Sequence, residues 1–160
     1  MIDLRPVPYD QPDSVRLVAE LQEFYRERYG GGDDTPVDPA QFAPPHGLFV
    51  VGYADGSAVA CGGWRAREGV DDDPGLRDGD AEIKRMYVAS GRRRRGFAHA
   101  VLRELERTAA AAGRLRVILE TGLAQPEAVA FYLAAGYAPT ARFGLYRHEP
   151  DSRCLARNLR

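Results

Sequence analysis

The segment from Glu82 to Ala112 constrains the fold more than any other part of the chain. It opens with EIKRMYV, a run rich in β-favouring side chains, which predicts a strand. Ser90 and Gly91 end this strand, and the basic turn RRRRGFA follows. Beyond Gly96 the apolar residues recur at helical spacing with charged residues between them. The segment therefore predicts a strand, a tight basic turn and an amphipathic helix in direct succession.

The start of that helix is a place where an anion can bind. The first amides of a helix have no partner within it, and the helix dipole adds partial positive charge there. Gly96 lets a ligand approach the backbone, Ala98 keeps the second close position small, and Arg92–Arg95 add full charges. One interpretation is a phosphate or pyrophosphate site. The other is a solvated basic turn ahead of an ordinary helix.

Two blocks of the sequence resemble a known family. Residues 93–98, RRRGFA, fit the pattern Arg/Gln-x-x-Gly-x-Gly/Ala, the acyl-CoA pyrophosphate loop of the GNAT superfamily of N-acetyltransferases. The second block, LETG followed by QPEAVAFYLAAGY, resembles the strand, loop and helix that lie at this distance in the same family. The chain is therefore identified as a member of the GNAT superfamily. It is similar to a set of bacterial acetyltransferases whose acceptors are mostly unassigned.

The first half of the chain supplies clear boundaries for its elements. Pro12 and Asp13 open a helix that stops at Gly30–Gly32. Asp55-Gly56 between two apolar runs predicts a β-hairpin. In the second strand of that hairpin, the neighbouring glycines of Gly62-Gly63 indicate close backbone packing or a bulge.

The second half alternates strands and helices. A strand is predicted from Arg114 to Glu120, a helix from Gln125 to Ala135, a strand from Tyr137 to Ala141 and a last strand from Arg153 to near Leu159. The full order is β-α-α-β-β-β-α-β-α-β-β, which calls for parallel pairing around the central helix. We predict an α/β fold of the α+β type. It is a single GNAT-like domain with a central mixed, twisted sheet of about six to seven strands, flanked by about four helices.

Length and composition favour one soluble domain over residues 1–160. The chain has 160 residues, enough to bury one substantial core, and no apolar run long enough to span a membrane. Its N-terminus lacks the apolar stretch of a signal peptide. The two cysteines, Cys61 and Cys154, form neither a ligand pair nor a disulfide framework. We expect a cytoplasmic protein with no membrane partner.

Charge is distributed unevenly along the chain. Residues 1–80 carry 7 basic and 16 acidic side chains, and residues 81–160 carry 15 basic and 7 acidic ones. The basic half suits a polyanionic ligand, and the acidic half favours a cationic acceptor. Alternatively, the halves intermix in the fold and the asymmetry disappears.

The acidic segment EGVDDDPGLRDGD, residues 68–80, is predicted to be a loop. Its consecutive aspartates suggest a calcium site, but the alternating acids and the closing glutamate of a calcium loop are missing. We expect a solvated turn and no metal in the protein.

The resemblance implies acetyl-CoA as the acyl-donor co-substrate, held between splayed fourth and fifth strands. In the family, the pantetheine arm pairs with the fourth strand, and a backbone N–H, here near Val88, polarises the thioester carbonyl. Many relatives have glycine where this chain has Arg94. The cofactor-binding residues implied are Met86, Tyr87, Val88, Arg93, Arg94, Arg95, Gly96, Phe97, Ala98, Gln125 and Phe131.

The resemblance also implies catalytic candidates. Tyr132 lies where many relatives keep a tyrosine near the thioester sulfur, and a phenol can protonate or hydrogen-bond a departing thiolate; the alternative is a packed helix aromatic. Glu82 lies at the spacing at which histone-acetylating relatives carry a catalytic glutamate, and the alternative is a carboxylate paired with Lys84 or Arg116. Glu120 is the second choice for the base, and many family members use water.

In relatives, the end of the first helix lines the acceptor pocket. The implied substrate-binding candidates are Arg28, Tyr29 and Trp64, although Trp64 also suits the core. Phe24 and Tyr25 lie on the same stretch of helix, and we expect core positions for both.

The implied function is direct transfer of an acetyl group from the CoA thioester to a primary amine of a small molecule or a protein. The acyl-chain preference and the acceptor stay open, and a homodimer is one option because relatives often dimerise. The alternatives are a CoA-binding module without turnover and a polyanion or nucleic-acid binder that uses Arg92–Arg95. A nucleic-acid binder typically has a basic isoelectric point, whereas this chain has a value near 6.3, so we expect no nucleic-acid partner.

Overall fold

A computed structural model describes residues 1–159 of the protein. Seven strands form one mixed sheet in the order β1-β2-β3-β4-β5-β7-β6. The strands are β1 (Asp3–Pro6), β2 (Gly47–Ala54), β3 (Ser57–Arg67), β4 (Asp80–Val88), β5 (Arg116–Gly122), β6 (Ala138–Pro139) and β7 (Ser152–Asn158). The helices are α1 (Pro12–Tyr29), α2 (Phe97–Ala111) and α3 (Pro126–Ala134), with a 3₁₀ turn at Pro39–Phe42.

The predicted α/β class, mixed sheet and element order are confirmed, with two differences of extent. The second helix of the predicted order, expected from Asp38-Pro39 as at most one turn, is a single 3₁₀ turn at Pro39–Phe42, so three α-helices rather than about four flank the sheet. The strand predicted from Tyr137 to Ala141 is confined to Ala138–Pro139. Tyr137 is instead anchored in the core, where it is 3% exposed and its hydroxyl donates to Glu106 of α2 at 2.7 Å.

Local chemistry explains the main boundaries. Helix α1 begins where the Gln11 side chain accepts hydrogen bonds from the Asp13 and Ser14 amides, and it ends where Gly30 adopts a φ of 80°. The β2–β3 turn places Asp55 and Gly56 at φ values of 53° and 78°. Positive φ at both central residues is the geometry that an Asp-Gly hairpin favours, so the hairpin prediction is confirmed.

The predicted bulge lies in the β3–β4 pair. The register shifts between Cys61 and Gly63, and Arg85 on the facing strand has a φ of 61°. A Cβ on Gly62 would lie 2.8 Å from the Met86 side chain, so only glycine allows the strand to pass this close.

Helices cover both faces of the sheet. Helix α2 buries Val101, Leu102 and Leu105 against one face, and α1 buries Leu17 with Phe49 against the other. Within residues 1–159 no helix combines the length and apolar character that crossing a bilayer requires. Between the two covered faces, a cleft opens in the sheet itself, between β4 and β5.

That cleft exists because β4 and β5 pair over only part of their length. Their parallel register runs from Asp80 opposite Arg116 to Glu82 opposite Ile118. Beyond these pairs β4 continues to Val88 and β5 to Gly122 without pairing to each other. The strands therefore separate, and β4 presents an unpaired edge towards the cleft.

Candidate active site

Two cavities lie in the cleft, and they meet. The smaller, which we call the basic groove, has a volume of about 410 Å³ and runs from β4 to the start of α2. The larger, which we call the acidic cavity, has a volume of about 680 Å³ and lies between β4, β5 and the end of α1. The residues that line both are Met86, Gln125, Ala128 and Tyr132. A ligand in one cavity can therefore touch a ligand in the other at this junction.

The basic groove brings together the residues expected to bind the cofactor. All of the residues named from the family resemblance line it except Arg95. Phe24 also lines the groove, where the Arg93 guanidinium lies 5.2 Å from its ring centroid. Phe24 and Tyr25, for which we expected core positions, are half-buried, and Tyr25 lines the acidic cavity.

The start of α2 has the free donors that an anion requires. Gly96 occupies the N-cap with a φ of 79° and no side chain caps the helix. Among the described residues, nothing accepts a hydrogen bond from the amides of Phe97, Ala98 or His99. Arg94 adopts a φ of 65°, so the turn keeps a left-handed residue although it lacks the glycine. The path of the loop thus suits a phosphate at the helix terminus.

The arginines of the turn point in different directions. Arg92 pairs with Asp55 of the β2–β3 turn at 3.3 Å. The Arg93 side chain donates to the Val88 carbonyl at 3.1 Å, which places its charge along the groove wall. Arg94 and Arg95 are exposed, with no ion-pair partner in residues 1–159. Their charges are available to a ligand at the helix start.

Tyr132 lies at the junction of the two cavities. It is 9% exposed, and among the described residues its hydroxyl donates to the Met86 sulfur alone, at 3.6 Å. A thioether is a weak acceptor, so this donor is easily redirected to another sulfur. Burial raises the pKa of Tyr132 above the usual range of a phenol, which keeps it protonated at neutral pH.

Glu82 has a different environment from that of a general base. It is 3% exposed, and one carboxylate oxygen accepts from Arg65 at 3.0 Å and from Arg67 at 2.6 Å. It lines neither cavity. The antiparallel register of β3 and β4 sets Arg65 directly opposite Glu82, which explains the pairing. Of the two alternatives for Glu82, the structure therefore shows the ion-paired carboxylate. Its partners are Arg65 and Arg67 rather than Lys84 or Arg116.

Glu120, the second choice, lines the acidic cavity. One carboxylate oxygen accepts a hydrogen bond from the Ser152 hydroxyl at 3.1 Å. Burial raises the pKa of Glu120 to about 7, although the nearby Lys84 charge and the Ser152 hydrogen bond lower it. This carboxyl therefore titrates near neutrality inside the cavity.

The substrate-binding candidates separate into three environments. Tyr29 lines the acidic cavity and its hydroxyl donates to Gln125 at 2.9 Å. Arg28 lies beside it and ties α1 to α3 through an ion pair with Glu127 at 2.6 Å, without lining either cavity. Trp64 is 2% exposed in the core under α2, and its indole donates to Thr108 at 3.0 Å. The structure thus contradicts the prediction that Trp64 binds substrate, because its side chain faces α2 rather than the cleft.

Most charged residues of the acidic cavity come from segments for which the sequence predicted no functional role. In the part of the chain that the structure describes, two cations line it, Lys84 and Arg85, and both bind the Asp33 carboxylate. The other carboxylates of the lining form no ion pair with any residue of the described chain; they are Asp34, Glu120, Glu149 and Asp151. The run GGGDD after α1 and the acids before β7 were visible in the sequence, but nothing local showed that they converge.

Potential metal-binding side chains form no such cluster among the described residues. Within residues 1–159 no set of three or more histidine, cysteine, aspartate or glutamate side chains is placed to hold a metal ion.

Comparison with known proteins identifies similar chains. The sequence profile of the Acetyltransferase (GNAT) family matches residues 16–137. An Azospirillum brasilense protein named IAA acetyltransferase is 30% identical over 145 residues, which cover 91% of this chain and 90% of that protein. A solved Klebsiella pneumoniae structure, assigned to the acyl-CoA N-acyltransferases, has a TM-score of 0.78 at 23% identity and covers 100% of this chain and 99% of its own. A GNAT family acetyltransferase from Elizabethkingia anophelis, solved with acetyl-CoA bound, has a TM-score of 0.68 at 14% identity, with coverage of 99% and 98%.

Proposed function

Because this chain belongs to the GNAT acetyltransferase family, we propose that it moves an acetyl group directly from acetyl-CoA to the primary amine of a small cationic molecule. One observation carries the proposal: a basic groove and an acidic cavity meet at a buried tyrosine. This arrangement gives a polyanionic donor and a cationic acceptor separate approaches to one point of reaction.

The basic groove has the donors that acetyl-CoA needs. The free amides at the start of α2, together with Arg94 and Arg95, would hold the pyrophosphate. The unpaired edge of β4 at Met86–Val88 would hydrogen-bond the pantetheine amides and polarise the thioester carbonyl. When bound there, acetyl-CoA supplies an activated acetyl group at the junction.

Tyr132 is the proposed acid of the reaction. Its hydroxyl would turn from the Met86 sulfur to the sulfur of the leaving thiolate. A thiol has a pKa of about 8.5, and the raised pKa of Tyr132 makes complete proton transfer to the thiolate uphill. Hydrogen-bond donation in the transition state, followed by transfer as the phenol recovers a proton from the nitrogen, suits this pKa better.

The acidic cavity indicates the class of acceptor. Its volume of about 680 Å³ lies within the range of small-molecule sites, which favours a small amine over a protein. Its unpaired carboxylates attract a cation, whereas its cations, Lys84 and Arg85, are engaged with Asp33. An acceptor that carries a carboxylate of its own, such as an amino acid, would be repelled.

The donor site is tested by calorimetric titration of acetyl-CoA into three proteins: wild type, Gly96→Ala and Gly96→Glu. Gly96 has a φ of 79° and open space around it, so both substitutions strain the backbone alike and only glutamate adds bulk and negative charge. We expect wild-type binding, a modest loss with alanine and at least a tenfold further loss with glutamate. Absence of wild-type binding would refute the acetyl-CoA site.

The acceptor class is tested by thiol release from acetyl-CoA with a matched panel of amines. The panel compares linear diamines with monoamines of equal length and with amino acids that replace the second amine by a carboxylate. We expect the highest kcat/KM for diamines and the lowest for amino acids. Equal rates across the panel would refute the cationic preference, and acetyl-CoA binding without release from any amine would favour a module without turnover.

A further inference from the structure

We propose that Glu120 of β5 is the general base that deprotonates the acceptor amine, and that Ser152 of β7 is a positioning residue for it. The inference rests on the proposed transferase function and assigns a residue that the reaction needs. An amine is protonated at neutral pH and attacks a thioester only after it loses a proton, so the acceptor side requires a group that can take one.

The position of Glu120 suits this task. It lines the acidic cavity, which joins the basic groove at Tyr132, so an amine in this cavity can contact the carboxylate and reach the junction where the thioester is proposed to lie. The antiparallel pairing of β5 with β7 brings Ser152 alongside, where its hydroxyl donates to Glu120 at 3.1 Å. Ser152 is 3% exposed, so its hydroxyl lies among protein groups rather than in solvent, and its hydrogen bond helps to orient the carboxylate.

The other carboxylates near the junction lack these properties. Glu82 is bound by Arg65 and Arg67 and does not reach the cavity. Asp33 is bound by Lys84 and Arg85, whose charges keep its pKa far below the usual range and make it a weak base. Asp34, Glu149 and Asp151 are exposed at the rim.

The groups around Glu120 keep its pKa near neutral pH. Burial is the largest influence and raises the pKa of Glu120 to about 7, opposed by the nearby Lys84 charge. The further titratable groups that act on it or respond to it are Asp33, Glu82, Tyr25, Tyr29, Tyr146 and Cys154. A carboxyl with this pKa is partly ionised near neutral pH and still binds a proton well enough to take one from an ammonium group.

The proton balance of the step is complete. Glu120 takes one proton from the ammonium, and the nitrogen lone pair forms the bond to the acetyl carbon. The carbon–sulfur bond breaks, and the thiolate takes the Tyr132 proton. Tyr132 recovers the second nitrogen proton, and Glu120 releases its proton to water, which gives amide, thiol and one free proton.

The test is the pH dependence of kcat/KM for wild type, Glu120→Gln, Ser152→Ala and a control, Glu149→Gln. Wild-type kcat/KM should rise tenfold per pH unit and level off near pH 7, well below the pKa of the amine itself. Glu120→Gln should lose this rise with pH, which is the acid limb of the profile, and about 10²–10⁴-fold of the rate. Ser152→Ala should move the limb to higher pH, because the lost hydrogen bond stabilised the ionised carboxylate. Glu149→Gln removes a charge from the same cavity and should change KM without moving the limb.

A limb that persists unchanged in Glu120→Gln, with wild-type turnover intact, would overturn the base while leaving the transferase function standing. An unmoved limb in Ser152→Ala would overturn the positioning role. Loss of turnover in every protein would instead refute the proposed function. In that case, thermal unfolding without substrate tests whether the Glu120 carboxyl has the raised pKa on which its role as a base depends. Because the folded state binds the Glu120 proton more tightly than the unfolded state, stability falls as pH rises from about 4.5 to about 7. Glu120→Gln should therefore raise the melting temperature more at about pH 8 than at about pH 5, and an equal shift at both would overturn the titration on which the base depends.

Discussion

Replacement of Arg94 by glycine should stabilise the protein, although it removes a charged residue from the proposed pyrophosphate loop. Arg94 has a φ of 65°, and its backbone therefore lies in the left-handed region. An L-residue pays about 1–2 kcal/mol for this conformation, whereas glycine adopts it freely. The left-handed residue here is required by the path of the turn from β4 into α2.

The expected gain is smaller than the relieved strain. Glycine makes the unfolded chain more flexible, which offsets about 0.5–1 kcal/mol. The net stabilisation is therefore about 0.5–1 kcal/mol, equivalent to about 1–4 °C in melting temperature for a chain of this size. Relief of repulsion within Arg92–Arg95 adds to the gain in any variant that removes the charge.

Arg94→Ala is the matched control, because it removes the same charge and keeps a Cβ at a φ of 65°. Urea unfolding at low and high salt measures the three proteins, with the comparison restricted to midpoints at constant m value. We expect Arg94→Gly to exceed Arg94→Ala by about 0.5–1 kcal/mol at both salt concentrations. If alanine is as stabilising as glycine, charge rather than backbone strain governs this position and the reasoning is refuted.

Three further substitutions test the polar network and the core. Asp33→Asn should cost about 3–5 kcal/mol in urea unfolding, because Lys84 and Arg85 are 7% and 3% exposed and lose the one carboxylate that pairs with them within residues 1–159. Since the folded pKa of Asp33 is depressed, this contribution should persist in wild type as pH falls to about 4 and be lost only in stronger acid. Glu82→Gln should cost about 2–4 kcal/mol by the same measurement, yet leave the acid limb of kcat/KM in place, and a vanished limb would restore it as the base. Trp64→Phe should cost about 1–3 kcal/mol through a lost hydrogen bond and lost core volume, with the amine KM unchanged; a large rise in KM would contradict its core position.

The sequence by itself determined the secondary-structure elements and the basic turn before α2. The hairpin at Asp55-Gly56, the end of α1 at Gly30 and the change from strand to helix around Gly96 depend on residues close together in the chain. Backbone preference, capping and hydrophobic period act over a few residues, so they can be recognised from the sequence without knowledge of the tertiary structure. The same locality explains why nearly all the residues named from the motif lie together in the basic groove.

Only the tertiary structure decided the surroundings of each carboxylate. Glu82 and Glu120 are both strand glutamates, but β3 lays Arg65 and Arg67 against Glu82, whereas β7 lays Ser152 against Glu120. The partners come from distant parts of the chain, and burial, which sets the pKa of Glu120, depends on how the strands separate. A side chain's protonation and role follow from its neighbours in space, and those neighbours are chosen by sheet order and register rather than by spacing along the sequence.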